Sequence, residues 1–493
     1  MSDRRNLARA RVEFARRRVP VSAVVALAIP IAAIAWQPAR AADMPPVILT
    51  PASPTTAHAP LRDMPEEAGQ GEAPAVPGPQ IPATGARSFA TEAQLRQLLY
   101  AAAQAAMDVS PQVRGLYAEY QAAQSDVSQA KAARWPQLQL NGRTRSMQFG
   151  SNAGNGYDPG NSISADLTTT LFDWGRNAKQ IASRRELANA NQERYIAQME
   201  DSAYQVSTTL AELAKQRNIA ALSQQFVDRM TQLVGMLAAI VATDRGRASE
   251  LTQAEARLLQ AQASRDAALA KCRDAELNLR KLVGQQPVPT PATSTWPLKP
   301  ANLERLMAAL DNNPRLQQAR AEAAAADMNR DALRASRKPQ LNWVVSASTG
   351  HDVQGRRMPW QTMLTLSWNA FTGGAATAAT DAAAFRALAG WRQVEQTRLD
   401  LEYQVRTADE DARSFGARAN QYRALSAESD RVRKAFFDQW YHLGRRTLLD
   451  VLIAESDYYN NRVSEVAYRF DGYVATLRGY ASAGLLVQWL REG

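Results

Sequence analysis

The stretch from Arg134 to Gly175 holds two alternating segments around a Gly/Asn-rich loop and ends at a glycine that opens a long helical run. Leu138 and Leu140 share one face, with Gln139, Asn141, Arg143 and Arg145 on the other. Ile163, Ala165, Leu167, Thr169 and Leu171 oppose Ser164, Asp166, Thr168 and Thr170. The pattern returns at Lys338–Gly374: Pro136-Gln137-Leu138 recurs as Pro339-Gln340-Leu341, and Phe172/Gly175 as Phe371/Gly374. There Leu341, Trp343, Val345 and Ala347 form one face, as do Trp360, Thr362, Leu364, Leu366 and Trp368 in the next segment. Segments of about ten residues with strict period two fit membrane-spanning barrel strands, and a half-buried soluble sheet fits them equally. Two hairpins, at residues 138–172 and 341–371, therefore organise an internal duplication.

Each hairpin feeds a helix of unusual length. From Arg176 to Val234 there is neither Gly nor Pro, which at ~1.5 Å per residue gives roughly 90 Å of helix. Met199, Val206, Leu213, Ala220, Val227 and Val234 recur every seven positions, and Leu452, Tyr459, Val466, Tyr473 and Tyr480 do so in the second copy. Sustained heptads indicate helices packed as coiled coils. Shorter helices precede each hairpin. Ser110-Pro111 and Asn313-Pro314 start them, and Trp135-Pro136 and Lys338-Pro339 stop them, since proline is tolerated in a first turn and disfavours helix in the residue before it.

The domain organisation follows. Residues 1–41 have the layout of a secretory signal: a basic segment from Arg4 to Arg18, an apolar one from Val19 to Trp36, and Ala39-Arg40-Ala41 as a cleavage-type site. Residues 42–88 are Pro/Ala-rich and read as a flexible extension. Residues 89–284 form the first repeat, 285–301 a Pro/Thr-rich linker, and 302–490 the second repeat. The formal charge of +10 comes mostly from the arginines of the leader, so nucleic acid is not an expected partner. Cys272 is the one cysteine and is expected to be a small apolar contact. Beyond residue 42 no uninterrupted apolar run reaches the length of a helical span.

Four strands cannot close a barrel, and lipid tolerates no open sheet edge. If the strands lie in a membrane, copies of the chain must share one barrel.

The duplicated order of helix, P-x-L strand, Gly/Asn loop, strand ending in Leu171-Phe172-Asp173-Trp174-Gly175, long helix, glycine turn and heptad helix resembles the TolC family of outer-membrane channels. The sharpest match is Tyr441-His442-Leu443-Gly444-Arg445-Arg446-Thr447-Leu448-Leu449-Asp450-Val451-Leu452-Ile453-Ala454, close to that family's Y-x-x-G-x-x-T-x-x-D-V-L-x-A turn. Its counterpart starts at Gly246 and includes Glu250, Thr252 and Glu255. The resemblance implies an α+β membrane protein: a homotrimer with a twelve-stranded β-barrel, four strands per chain, in outer-membrane lipid, continued by a long periplasmic α-helical coiled-coil tunnel.

It also implies a gate where the turns at Gly246 and Gly444 meet. Tyr441 and Arg446 match the family's tie residues, and Asp450 matches a pore-facing carboxylate. The partner acid expected near Tyr441 and Arg446 is Thr252 here, with Glu250 and Glu255 as nearby substitutes, and a second pore acid is replaced by Ile453. A plain solvated Arg446–Asp450 helix pair is the alternative. Phe172, Gly175, Phe371 and Gly374 mark the strand–helix junctions. Arg143 and Arg145 would face the barrel lumen.

No catalytic or cofactor motif is present. His58, His351 and His442 lack metal-ligand spacing, and the sequence has no phosphate loop or nucleophile elbow. The functional expectation is a passive exit duct of a tripartite system. It would work with a periplasmic adaptor and an ABC transporter in type I protein secretion, or with an ABC or proton-driven pump in small-molecule efflux. A soluble periplasmic coiled-coil adaptor is the remoter alternative, and it leaves the four one-faced strands unexplained.

Overall fold

The computed structural model describes residues 91–144, 161–284, 295–350 and 359–493. The expected leader, the extension, Arg145, His58, His351 and residues 285–294 of the linker lie outside the described residues.

Helices α1 (Glu92–Val109) and α2 (Pro111–Ala132) lead into strands β1 (Gln137–Arg143) and β2 (Ser162–Phe172), then α3 (Arg176–Thr243) and α4 (Ala248–Val283). The second repeat follows as α5 (Leu303–Ala309), α6 (Pro314–Ser336), β3 (Gln340–Ser348), β4 (Trp360–Ser367), α7 (Ala375–Tyr441) and α8 (Leu448–Ser482), with a short α9 (Leu486–Arg491) at the end. Helices α3 and α7 run for 68 and 67 residues, each about 100 Å at ~1.5 Å per residue.

The four strands form one antiparallel sheet in the order β1-β2-β3-β4, so the two repeats meet at the β2–β3 pair. Its register aligns the alternation across all strands up to a bulge between Thr170 and Phe172, which places Phe172 opposite Leu341. Leu138, Leu167, Val345 and Thr362 fall in one row, while Gln139, Asp166, Ser346 and Gln361 form a polar row on the opposite face. Asp166 anchors that row, accepting from Ser346 at 2.6 Å and from Asn141 at 2.9 Å. Among the described residues no layer of helix covers the apolar face: Leu140 is 71% exposed and Leu366 69%. The outer edges of β1 and β4 have no strand partner among the described residues.

Strand β4 stops at Ser367, short of the expected hairpin end at Phe371. The indole of Trp368 instead donates to the Arg337 carbonyl at 3.0 Å.

Each long helix packs against two sets of partners. Near the sheet, α3 meets α2 through Ala188, Ala123 and Val127 and α6 through Ser183, whose hydroxyl donates to Ala325 O. Close approach of α7 to α6 requires Gly390, where an added Cβ would lie 3.2 Å from the Ala323 Cα. Farther along, Ala220 of α3 packs on Ala268 and Cys272 of α4. The largest core joins α1, α3, α4, α8 and α9, with Leu95, Leu99, Leu210, Leu213, Phe470 and Leu490 at its centre. Trp296, beyond the linker's undescribed part, is buried there, and its backbone N–H donates to the Tyr473 hydroxyl.

By length and composition α3 contains a window apolar enough to cross a bilayer, which the sequence reading did not anticipate. Val227, Met230, Leu233 and Leu237 of α3 are packed against α4, α7 and α8, while 22% of the window is buried within the chain.

Candidate functional site

The ends of the helices farthest from the sheet carry two turns. Val227, Met230, Leu233 and Leu237 of α3, Ala254 and Ala261 of α4, Trp440 of α7 and Leu448, Val451 and Leu452 of α8 make a common apolar cluster beneath them. That burial fixes both turns relative to one another.

The α3–α4 turn is built by Asp244, whose carboxylate accepts from the Gly246 N–H at 3.0 Å. Arg247 then pairs with Glu250 at 2.6 Å and lies over the Trp440 ring. Thr252 is exposed, its hydroxyl donating to the Ala248 carbonyl, and Glu255 is exposed as well.

In the α7–α8 turn Gly444 sits in the left-handed region at φ 60°. Tyr441 stacks on Phe437 with ring centroids 5.7 Å apart. Arg446 donates to the Gln439 side chain at 3.1 Å and lies 4.1 Å over the Phe436 ring. Its side chain therefore turns back onto α7. Asp450 occupies the N3 position of α8, accepting from the Thr447 N–H at 3.2 Å, while Thr447 Oγ1 accepts from the Asp450 N–H. This is a capping box, which satisfies two free backbone donors of the first turn. The plain Arg446–Asp450 helix pair is thus corrected: Arg446 precedes the cap, and Asp450 is engaged by Thr447. Within the chain, the described bonds join neither Tyr441 nor Arg446 to Glu250, Thr252 or Glu255.

A tie that sequence reading missed lies in the same region. Glu455 of α8 is almost fully buried and accepts from Arg229 of α3 at 2.8 Å and from Arg433 of α7 at 3.4 Å. Its position exactly one heptad after Leu448 is the available clue, since a charge on a buried stripe needs partners.

At the other end of the long helices, Gly175 and Gly374 are the N-caps of α3 and α7, with φ of 79° and 88°. Both repeats leave the sheet through a left-handed residue, which glycine adopts without steric cost. Asp173 steadies the first junction by accepting from the Gly175 and Asn177 N–H groups. Phe172 contacts Trp174 edge-on at 4.9 Å, and Trp174 donates to the Pro339 carbonyl at 2.8 Å. Phe371 is 90% exposed. Arg143 ends β1 on the polar face, opposite Ser162. No group of metal-ligating side chains occurs among the described residues.

The family model for "Outer membrane efflux protein" matches residues 90–285 and 306–478, both repeats with their hairpins and long helices. The chain belongs to the outer membrane efflux protein family. It is accordingly a TolC-like protein of the outer membrane that extends into the periplasm. Among its relatives is the outer membrane efflux protein BepC of Brucella suis biovar 1 (strain 1330), 24% identical over 362 residues, which make up 71% of this chain and 77% of BepC. Solved family structures share the fold. The outer membrane protein VceC of Vibrio cholerae superposes with a TM-score of 0.68 at 19% identity, covering 80% of this chain and 96% of VceC. The open-state MtrE channel of Neisseria gonorrhoeae gives 0.68 at 17% identity, covering 79% and 90%.

Proposed function

We propose that three copies of the chain form one passive outer-membrane exit duct, a twelve-stranded barrel continued by a periplasmic helical tunnel. The observation that carries this reading is the sheet: among the described residues it has four strands, one uncovered apolar face and two free edges. Because the strand number is even, β4 of one copy meets β1 of the next in antiparallel sense. Three sectors of four strands then leave no edge in lipid.

The two turns at the far end form the entrance. Asp450 from three copies makes an acidic ring that favours cations, and Tyr441, Arg446, Glu250, Thr252 and Glu255 meet their counterparts across copy boundaries. Among the described residues Arg446 bonds Gln439 and makes no ion pair, which leaves its charge available to a neighbour. Arg143 lines the lumen near the outer mouth. The sequence carries no phosphate loop, so the energy for transport comes from an inner-membrane transporter coupled through a periplasmic adaptor.

The cargo reading is type I protein secretion with an ABC transporter, supported by the tip-helix sequence from Gly246 to Leu258. Efflux of small molecules is the second reading, favoured by the name of the relative BepC. A deletion strain separates them. Loss of a secreted protein with unchanged drug susceptibility supports secretion, and hypersensitivity with an unchanged secretome supports efflux. Recovery of the purified protein as a soluble monomer, with no conductance in planar bilayers, would sink both.

A further inference from the structure

A polar connection that joins α3 to both helices of the second hairpin lies above the turns. Glu455 of α8 receives Arg229 of α3 at 2.8 Å and Arg433 of α7 at 3.4 Å. Asp430 holds Arg433 at 2.6 Å and also pairs with Lys434 at 2.6 Å, so the two carboxylates link three cations in one network. The Arg229 guanidinium also lies 4.7 Å over the Phe437 ring of α7, and that of Arg433 lies 4.5 Å over Tyr458 of α8. One side chain from α3 is thereby clamped by both helices of the second hairpin.

The seam around it is polar. Ser223 bonds Tyr459 at 2.8 Å, and Arg462 donates to Gln225 at 3.0 Å. A cavity of about 240 Å³ opens at this seam beside Phe226, Tyr458 and Tyr459. The cavity is partly open to solvent and is lined by Arg229, Arg433 and Glu455 themselves, so α3 and α8 have room to change their contact here. A buried ion network gives orientation more than stability, while removing one member leaves an uncompensated charge.

We propose that Glu455, held by Arg229 and Arg433, is the positioning residue that sets the resting arrangement of the two hairpins and hence the closed entrance. The inference rests on the duct reading above. It assigns the within-chain tie to this triad, because Tyr441 and Arg446 bond only within α7 and its turn.

The test uses the purified full-length trimer in planar bilayers. Glu455→Gln keeps the size of the side chain and removes its charge. The open fraction is expected to rise roughly tenfold, as a tie favouring one of two states is lost. Glu455→Asp, which keeps the charge, should return it towards the unmodified value. In a Cys272→Ser background, Gln225→Cys with Arg462→Cys joined by a reducible dithiol-reactive linker should hold the channel shut until reductant is added. An open fraction unchanged in Glu455→Gln, even with a lowered melting temperature, overturns the proposal. So does free opening of the cross-linked trimer. An unmodified trimer that conducts no ions would instead overturn the duct reading itself.

Discussion

The carboxylate of Glu200, part-way along α3, accepts hydrogen bonds from the backbone N–H groups of Leu486 at 2.9 Å and Val487 at 3.2 Å. It thereby caps α9, whose Leu486, Trp489 and Leu490 are buried in the main core. From the opposite side Arg96 of α1 donates to the Trp489 carbonyl and lies 4.6 Å over its ring. The C-terminal helix is thus held between the first and the third helix of the chain.

Burial pushes the Glu200 carboxyl up from 4.5 to about 7, against the lowering effect of the two backbone bonds, and neighbouring Asp201 adds to the rise. The folded protein consequently keeps a proton that the unfolded chain releases near 4.5. This contribution to stability is complete below pH 4.5 and is lost as pH rises to about 7, amounting to roughly 3 kcal/mol at most. Melting temperatures of the wild type and Glu200→Gln, measured from pH 5 to 8, should diverge as pH increases, with the variant falling less. Parallel curves would show that Glu200 does not titrate in this range.

The alternation in β1 makes a prediction about faces. Leu140→Arg places a charge on the apolar face and should cost about 2–4 kcal/mol if that site is near mid-membrane. Gln139→Arg, one residue away on the polar face, should be tolerated. The measurement is the yield of heat-resistant trimer extracted from outer membranes, and equal yields would argue against the assignment of faces.

At the first junction an added Cβ on Gly175 meets nothing within 4 Å. Gly175→Ala should therefore lose only the conformational freedom of a left-handed residue, about 1–2 kcal/mol. Gly390→Leu should cost more, because that site touches the Ala323 backbone. Thermal unfolding of both variants ranks the two costs.

The cap of α8 rests on Thr447 and Asp450. Thr447→Ala should weaken the helix start by about 1 kcal/mol and raise amide exchange in the first turn after Leu448, leaving the middle of α8 protected. Uniform loss of protection along α8 would show that the cap is not a local device.

The sheet was legible because its period of two leaves each residue only one face, and a shared register then aligns Leu138 with Leu167 and Val345. The long helices were legible because Gly and Pro are missing from their interiors over dozens of positions. Other features arise from contacts that no local pattern encodes. Trp368 belongs by alternation to β4, yet its indole is bound to Arg337, so the strand ends earlier. Asp450 reads in the sequence as a pore-facing carboxylate or as a helix partner of Arg446, and only the structure shows Thr447 engaging it in a capping box. Glu455 lies one heptad after the buried Leu448, and only the convergence of α3 and α7 explains why a carboxylate is buried there.

The pairing of Thr169 with Trp343 joins segments separated by two long helices and a linker. Closing so large a loop carries an entropic cost that grows with its length, so such contacts form late. The hydrogen bonds along α3 and α4 are local, although both helices bury their apolar faces against α8 of the second repeat. The central strand pair cannot exist until that repeat has been delivered, which makes the β2–β3 seam a checkpoint for completeness. A chain truncated before Gln340 keeps only the β1–β2 hairpin and presents half of the sheet for its neighbours to join.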